Sequence, residues 1–194
     1  MFDFNQQSYK DLRSQVAQRA TPLVIWLGAG ASASEPACLP SWKDLRTKIV
    51  AAIRSEAGSL VTEDRKKRLA ELDVAAEHDD LWVAFEMLDR ISGATFGEVV
   101  RGELGKGSTC DVPPRYLGIW GLRPSGILTL NLDRLAARAH SLHNAGESLD
   151  EFPGFEAGLY THVLKSPTPW ICGLHGMLAN RPSWVFTAKS LRAL

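Results

Sequence analysis

The stretch LVIWLGAGAS, residues 23–32, decides the fold class of this 194-residue chain. Its first five residues are apolar, two of them are β-branched, and they lie between Pro22 and Gly28. A short apolar run bounded in this way predicts a fully buried strand of a parallel sheet. The glycine-rich turn that follows directly is typical of nucleotide-binding α/β folds. We therefore expect an α/β domain with a Rossmann-like, mostly parallel sheet and helices on both faces.

The rest of the chain carries the alternation of strands and helices that such a fold requires. Short apolar runs bounded by turn residues predict further strands over 126–130, 159–164, 170–174 and 184–187. Helical spacing of apolar residues predicts helices over 8–19, 44–57, 62–90, 95–104 and 134–143, and one that starts within 188–194. Residues 43–107 contain no strand pattern, so we expect a helical insert there within a single domain of residues 1–194.

The glycine turn after the first predicted strand is the first candidate binding feature. Gly28 and Gly30 let the backbone turn sharply and approach a ligand closely. Main-chain N–H groups at such a turn can hold a pyrophosphate. Ala33 stands where the third glycine of a G-x-G-x-x-G motif would be, so a plain strand-to-helix turn is equally compatible with these residues.

Two polar residues follow the second predicted strand. Asn131 and Asp133 lie just past residues 126–130, and ligands of open α/β sheets bind beyond the carboxyl ends of the strands. Either residue could instead cap the helix that begins near Arg134. For Asp133 the capping role is at least as well supported as a functional one, whereas for Asn131 a functional role is favoured.

A histidine follows the predicted strand 170–174. His175 lies within the sequence GLHG, where the flanking glycines leave it free to face a cleft. Its near-neutral pKa suits it to accept a proton as a general base. A structural loop histidine is the alternative. The other four histidines lie in helix or strand patterns, and we interpret them as structural: His78, His140, His143 and His162.

Composition excludes several function classes. The chain has 22 Lys+Arg and 22 Asp+Glu, a formal net charge of zero, which does not indicate a nucleic-acid partner or an anionic membrane surface. Its three cysteines, Cys38, Cys110 and Cys172, form no C-x-x-C pair, so we expect no metal site. There is no secretory signal and no apolar window of membrane-spanning length. With an odd cysteine count, these features predict reduced thiols in a cytoplasm.

The order of five motifs along the chain resembles the sirtuin superfamily. More narrowly, it is similar to the bacterial sirtuin-like domains of antiphage defence effectors, over about residues 20–190. The motifs are GAGAS at 28–32, LPSW at 39–42, TLNLD at 129–133, LHG at 174–176 and WVFT at 184–187.

This resemblance implies an NAD site and assigns its residues. The NAD phosphates and the ribose side of the pocket would be lined by Gly28, Ala29, Gly30 and Ser32. Asn131 would hold the nicotinamide ribose and the attacking water, and His175 would be the general base. Asp133 would support the pocket, and Thr129, at the start of TLNLD, is assigned to NAD binding as well. NAD is the substrate, and no metal is required.

Departures from the family pattern bear on the activity. Cys38 stands where the family has a glycine before LPSW, and Leu130 stands where deacetylases have a glutamine. The zinc module of deacetylases is absent. The family also continues past its Val-Phe-Thr strand into a helix and a strand with a Gly-x-Ser-x-x-Asp type segment. We therefore expect residues 1–194 to be a sirtuin-like domain truncated at its C-terminus.

Together these features predict an NAD hydrolase that releases nicotinamide and ADP-ribose. The resemblance implies an antiphage effector that acts by NAD depletion in a prokaryotic cytoplasm, as a homo-oligomer or with a partner sensor protein. The alternative is a non-catalytic NAD- or ADP-ribose-binding or assembly module of a larger defence complex. A protein deacylase is less well supported, because the zinc module is absent and Leu130 replaces the glutamine.

Overall fold

The computed structural model describes residues 5–18, 21–58, 62–163, 166–187 and 190–191. The chain is a mixed α/β protein with a four-stranded parallel sheet. Its helices are α1 (Gln7–Gln18), α2 (Trp42–Ala57), α3 (Thr62–Glu77), α4 (Leu81–Gly105), α5 (Pro114–Gly121) and α6 (Leu135–His143). Its strands are β1 (Val24–Leu27), β2 (Gly126–Thr129), β3 (Asp150–Pro153) and β4 (Trp170–Gly173).

The strands lie in the order β1-β2-β4-β3, and every neighbouring pair is parallel. The chain therefore moves in one direction across the sheet from β1 to β3 and then steps back to β4. Because crossovers between parallel strands are right-handed, this reversal places the last connection on the opposite face. Helices α5 and α6 accordingly share one face. The 3-10 helix Gly154–Tyr160, between β3 and β4, packs on the other face.

Strand β1 was expected to be fully buried, and this is wrong. Among the described strands it pairs only with β2, so it lies at an edge of the sheet. Ile25 and Leu27 face the core with α5 and α6. The alternate side chains, Val24 and Trp26, are 44% and 61% exposed. An apolar run therefore indicated a strand here, but its position in the sheet was not encoded in that run.

Helices α2, α3 and α4 pack against one another around a shared apolar cluster. Leu132, which follows β2, and Trp184 and Phe186, which follow β4, belong to the same cluster. The three helices therefore cover the segments that leave the carboxyl edge of the sheet. Ser41 starts α2 with a capping box: its side chain accepts a hydrogen bond from the Asp44 N–H, and Asp44 bonds back to the Ser41 N–H.

Several local predictions differ from the structure. Residues 159–163 lie in a 3-10 helix and turn instead of a strand, and the predicted residue 164 lies outside the described residues. Residues 184–187 pair with no strand, although the Val185 N–H donates to the His175 carbonyl oxygen. The predicted helix 95–104 is the second half of α4, which continues through a kink at Ser92. Of the helix predicted within 188–194, the structure describes only residues 190–191.

The buried histidine of α6 makes stability depend on pH. His140 is buried edge-on against the Trp120 ring, with 4.8 Å between the ring centroids, and its Nε2 has no hydrogen-bond partner. Burial lowers the pKa of His140. Because its folded-state pKa lies below the ordinary value of about 6.5, protonation favours the unfolded chain. The stability it contributes is complete above that value and is lost as the pH falls toward the lowered pKa.

We expect His140→Phe to reduce the loss of unfolding free energy between pH 7.5 and pH 5. Phenylalanine keeps the contact with Trp120 and cannot be protonated, and each pKa unit of depression removed is equivalent to about 1.4 kcal/mol. Urea denaturation at both pH values measures the difference. His162→Phe, at an exposed position outside α6, is the control. An undiminished acid loss in His140→Phe would show that other groups cause it.

Among the described residues, no helix is both long enough and apolar enough to cross a membrane.

Candidate functional site

The structure brings the two predicted catalytic residues to the same edge of the sheet. Strands β2 and β4 are neighbours, and Thr129 pairs with Gly173. Asn131 and His175 each lie two residues beyond that pair, so they leave the sheet at equivalent positions. The Leu174 N–H donates to the Thr129 carbonyl oxygen at 2.8 Å, which extends the pairing past the strand ends. Their side chains, however, line different cavities.

The Asn131 side chain points toward the glycine turn. Its Nδ2 donates to the Gly28 carbonyl oxygen and to Ser32 Oγ, both at 3.0 Å, and lies 3.3 Å from the Tyr116 hydroxyl oxygen. A backbone carbonyl can only accept a hydrogen bond, so the amide nitrogen must face this side. The Asn131 Oδ1 makes no hydrogen bond to another described residue and is available to a ligand or water. Thr129 Oγ1 accepts from the Asn131 N–H at 3.0 Å, which steadies the backbone there.

Ser32 is the centre of this polar cluster and is buried. Its hydroxyl donates to Asp133 Oδ2 at 2.7 Å. Since a hydroxyl has one proton, the 2.7 Å bond between Ser32 and Tyr116 has the tyrosine as donor. Burial, with a smaller effect from the Asp133 charge, raises the pKa of Tyr116 to about 12, which keeps that proton in place. The cluster therefore links the glycine turn to the residues that follow β2.

Asp133 has the structural role that was left open for it. Its Oδ1 accepts from the Leu135 N–H at 3.0 Å, at the first residue of α6, while its Oδ2 accepts from Ser32. Burial raises the pKa of Asp133, and the Ser32 hydroxyl opposes that shift. Asp133 thus fixes Ser32, and through it Asn131, and it also caps the start of α6.

The glycine turn itself is a short 3-10 helix, Ala29–Ala31. Gly28 has an extended backbone, φ −116° and ψ 178°, which any residue adopts. A Cβ added at Gly28 or Gly30 would meet no atom within 4 Å. Neither glycine is therefore required by the fold of the unliganded chain, and the space above both is open. Arg115 Nη1 donates to the Gly30 carbonyl oxygen at 3.0 Å, so a guanidinium lies beside the turn.

His175 lies in an aromatic cavity of about 260 Å³. Its ring centroid is 5.5 Å from the ring centroids of both Trp42 and Trp82. The other lining residues are apolar: Leu81, Phe85, Leu130, Val185 and Phe186. Its Nδ1 is buried without a hydrogen-bond partner. Burial lowers the pKa of His175, so the imidazole is neutral at physiological pH.

Trp42 connects the two halves of the candidate site. It lines the His175 cavity and also a crevice between the glycine turn and Asn131, whose other lining residues include Ala29, Ser32 and Asp133. A third cavity, of about 150 Å³, continues from Asn131 past Thr129 toward Met177. The carboxyl edge of the sheet therefore carries an interrupted series of crevices that share wall residues.

Sequence reasoning missed the side chains that surround the predicted ones. Tyr116 lies in α5, a helix that the sequence patterns did not predict, and no local pattern marks its hydroxyl as part of the cluster. Trp42 belongs to the LPSW motif, but its contact with His175 depends on how α2 packs. Trp82, in α4, follows the sequence HDDL, which indicates only a helix start.

Within the described part of the chain, no group of three or more His, Cys, Asp or Glu side chains is arranged to hold a metal ion. All three cysteines are free, with Cys38 exposed and Cys172 buried.

No protein-family model matches this chain, and no curated protein matches its sequence. The resemblance to sirtuin-like domains therefore rests on the five sequence motifs alone.

Proposed function

We propose that this chain is an NAD hydrolase of the sirtuin-like type, which cleaves the bond between nicotinamide and ribose. The observation that carries the proposal is the orientation of Asn131. Its amide nitrogen is held by the glycine turn and Ser32, and its carbonyl oxygen remains available beside that turn. This is the arrangement needed to orient a ribose hydroxyl or a water molecule next to a bound dinucleotide.

The reaction needs little acid catalysis, which agrees with the residues present. In NAD the nicotinamide nitrogen carries a positive charge, so nicotinamide leaves as a neutral molecule with the bonding electron pair. Water then bonds to the anomeric carbon of the ribose and loses a proton. His175 is suited to accept that proton because burial keeps its imidazole neutral. The products are nicotinamide, ADP-ribose and one proton.

The glycine turn and Arg115 suit the phosphates of the substrate. Gly28 and Gly30 have open space above them, which allows a phosphate to approach the backbone closely. The guanidinium of Arg115, held at the Gly30 carbonyl oxygen, adds a positive charge next to that space. We extend the proposal to the role implied by the motif resemblance, an antiphage effector that depletes NAD, within a Rossmann-like domain in which residues 43–107 form a helical insert.

A second candidate function is binding of NAD or ADP-ribose without hydrolysis, as a sensor or assembly module. The separation of Asn131 and His175 into different cavities favours it. The His175 ring is in contact with two indoles, and its cavity is lined almost entirely by apolar side chains. Unless a ligand draws the two cavities together, the chain would hold the dinucleotide and leave it intact.

Incubation of the purified chain with NAD, followed by chromatography of nicotinamide and ADP-ribose, tests the two functions. We expect equal amounts of both products. Binding of NAD by calorimetry without product would support the sensor function, and neither binding nor product would overturn both. Addition of an acetylated peptide tests the deacylase alternative, since deacylation would consume NAD only in its presence.

Substitution of Gly28 tests the phosphate assignment separately from folding. The extended backbone at Gly28 accepts a β-branched residue, and an added Cβ meets no atom within 4 Å. We therefore expect the free energy of unfolding of Gly28→Val to lie within about 1 kcal/mol of that of the unsubstituted chain. Its affinity for NAD should fall about tenfold or more, because the side chain fills the space that the phosphates need.

Calorimetric titration with NAD and thermal unfolding of the same samples measure the two effects. The control is Gly118→Val on α5, where an added Cβ also meets nothing within 4 Å. Unchanged NAD affinity in Gly28→Val would remove the glycine turn from the binding site.

A further inference from the structure

Helix α4 carries a notch that holds an arginine from the segment after His175. Gly93 and Gly97 are four residues apart in the part of α4 that follows the non-helical Ser92, so they lie along one face there, and Asp89 lies just before Ser92. Arg181 Nη2 donates to Asp89 Oδ1 at 3.2 Å and to the Gly93 carbonyl oxygen at 2.5 Å. A Cβ at Gly97 would lie 2.8 Å from Arg181 Nη1 and 2.9 Å from Cζ. The absence of a side chain at Gly97 therefore makes room for the guanidinium.

The conformation of α4 supports the binding of Arg181 in this notch. The helix kinks at Ser92, with φ −154° and ψ 83°, between Asp89 and Gly93 of the notch. Glu56 of α2 accepts hydrogen bonds from the hydroxyls of Ser92 and Thr95, which fixes the kink from the other side. Arg181 therefore binds a rigid part of the helix and not a frayed end.

The segment that Arg181 anchors also holds His175. Arg181 begins the 3-10 helix Arg181–Ser183. Two residues past it, the Val185 N–H donates to the His175 carbonyl oxygen at 3.0 Å. Phe186 then forms part of the wall of the His175 cavity. Phe186 and Arg181 also border a common cavity of about 110 Å³, together with Asp89.

We propose that Arg181 is a positioning residue for His175: its guanidinium, bound in the notch of α4, holds residues 181–186 against the helix and so keeps the imidazole in its aromatic cavity. The structural part of this proposal stands on the contacts above. Its consequence for catalysis rests on the proposed function.

Among the described residues, no charged group near His175 competes with burial as the cause of its lowered pKa. The cavity is lined by Trp42 of α2, by Leu81, Trp82 and Phe85 of α4, by Leu130, and by Val185 and Phe186, all uncharged. The carboxylates at the starts of α2 and α4 bond to groups other than His175. Asp80 accepts from the Trp82 and Val83 N–H groups, and Asp44 is bonded to Ser41. If the anchored segment loosens and water enters, the pKa of His175 should rise toward its ordinary value of about 6.5.

Gly97→Ala tests the proposal with little other disturbance. The new Cβ collides only with the end of a flexible side chain, so Arg181 is expelled while the helix remains and the charge is conserved. Gly102→Ala is the matched control, because it lies on the exposed face of the same helix and its Cβ meets nothing within 4 Å. Arg181→Lys is the second variant, since an ammonium group lacks the planar fork that fits the notch.

We expect three effects in Gly97→Ala and Arg181→Lys, and none of them in Gly102→Ala. By NMR, the Val185 amide should exchange with solvent about tenfold faster, as expected when a charge-assisted hydrogen bond that closes the segment is lost. The titration midpoint of the His175 ring should rise. In NAD hydrolysis, the acid limb of the kcat–pH profile should move by the same amount, with KM for NAD within about twofold.

A purely structural role would lower the unfolding temperature and leave the His175 midpoint where it is. Unchanged Val185 exchange and an unchanged His175 midpoint in both variants would overturn the proposal. If both change as expected in a chain that does not hydrolyse NAD, the positioning role stands and the proposed enzymatic function fails.

Discussion

His175→Gln is expected to reduce nicotinamide release from NAD by about 10²- to 10⁴-fold, the range for loss of a general base. Glutamine keeps a polar group of similar length but cannot accept and hold a proton at neutral pH. The reduction should appear in kcat, with KM changed little, because the imidazole acts on the attacking water and not on the bound dinucleotide.

The pH dependence of kcat is a second, independent test of His175 as the general base. Burial lowers the pKa of His175, so the base remains unprotonated below the ordinary histidine value. The kcat of the unsubstituted chain should therefore hold as the pH falls through about 6.5 and decline only below it. An acid limb at or above that value would contradict the assignment of His175 as a buried base.

His143→Gln is the matched control, because His143 lies on the exposed face of α6. Asn131→Ala should give a loss comparable to His175→Gln, but with weaker binding of NAD as well, since its amide would orient the substrate. If both His175→Gln and Asn131→Ala hydrolyse NAD at the unsubstituted rate, the proposed mechanism is wrong. If neither the unsubstituted chain nor any variant hydrolyses NAD, but all of them bind NAD, the sensor function replaces the proposed hydrolase function.

The strands could be predicted where they are apolar, and not where they are polar. Strands β1, β2 and β4 were predicted from continuous apolar runs. Strand β3 has the sequence DEFP, with two acids and a proline, and was missed. It forms because it is the outer strand beside β4, where only Phe152 and Pro153 are buried, and a terminal proline is tolerated at such an edge.

The site could be predicted as far as the backbone determines it. The carboxyl ends of neighbouring parallel strands meet at one edge, which is why Asn131 and His175 were expected near each other. The direction of each side chain depends on residues far away in the chain. Asn131 is turned by Ser32 and Tyr116, and His175 is surrounded by Trp42 and Trp82. Such tertiary contacts leave no local periodicity from which they could be predicted.

The glycines around His175 show a second limit of local reasoning. They were interpreted as giving the histidine freedom to face a cleft. The structure gives them the opposite role. A Cβ at Gly173 would lie 2.5 Å from the Gly176 carbonyl oxygen, and a Cβ at Gly176 would lie 2.1 Å from the Ser183 carbonyl oxygen. Both glycines therefore permit a tight turn that closes on the segment anchored by Arg181.

Gly176→Ala is accordingly expected to be among the most destabilising single substitutions in the chain. Gly176 has φ +93°, a conformation that an L-residue adopts only with strain of about 1–3 kcal/mol. Its Cβ would also collide with the backbone of Ser183, where no flexible side chain can yield, and overpacking of this kind costs a further ~1–3 kcal/mol. We expect the free energy of unfolding to fall by about 2–6 kcal/mol, from the sum of these two contributions.

Gly146→Ala separates the two causes of the lost stability, backbone strain and steric collision. Gly146 has φ +89°, so an alanine there meets the same backbone strain, but its Cβ has no neighbour within 4 Å. In urea denaturation, the loss of unfolding free energy in Gly146→Ala should match the backbone strain alone. The loss in Gly176→Ala should be clearly larger. Equal losses would mean that the backbone of Ser183 moves aside without cost. In that case the segment that holds His175 is looser than its contacts indicate.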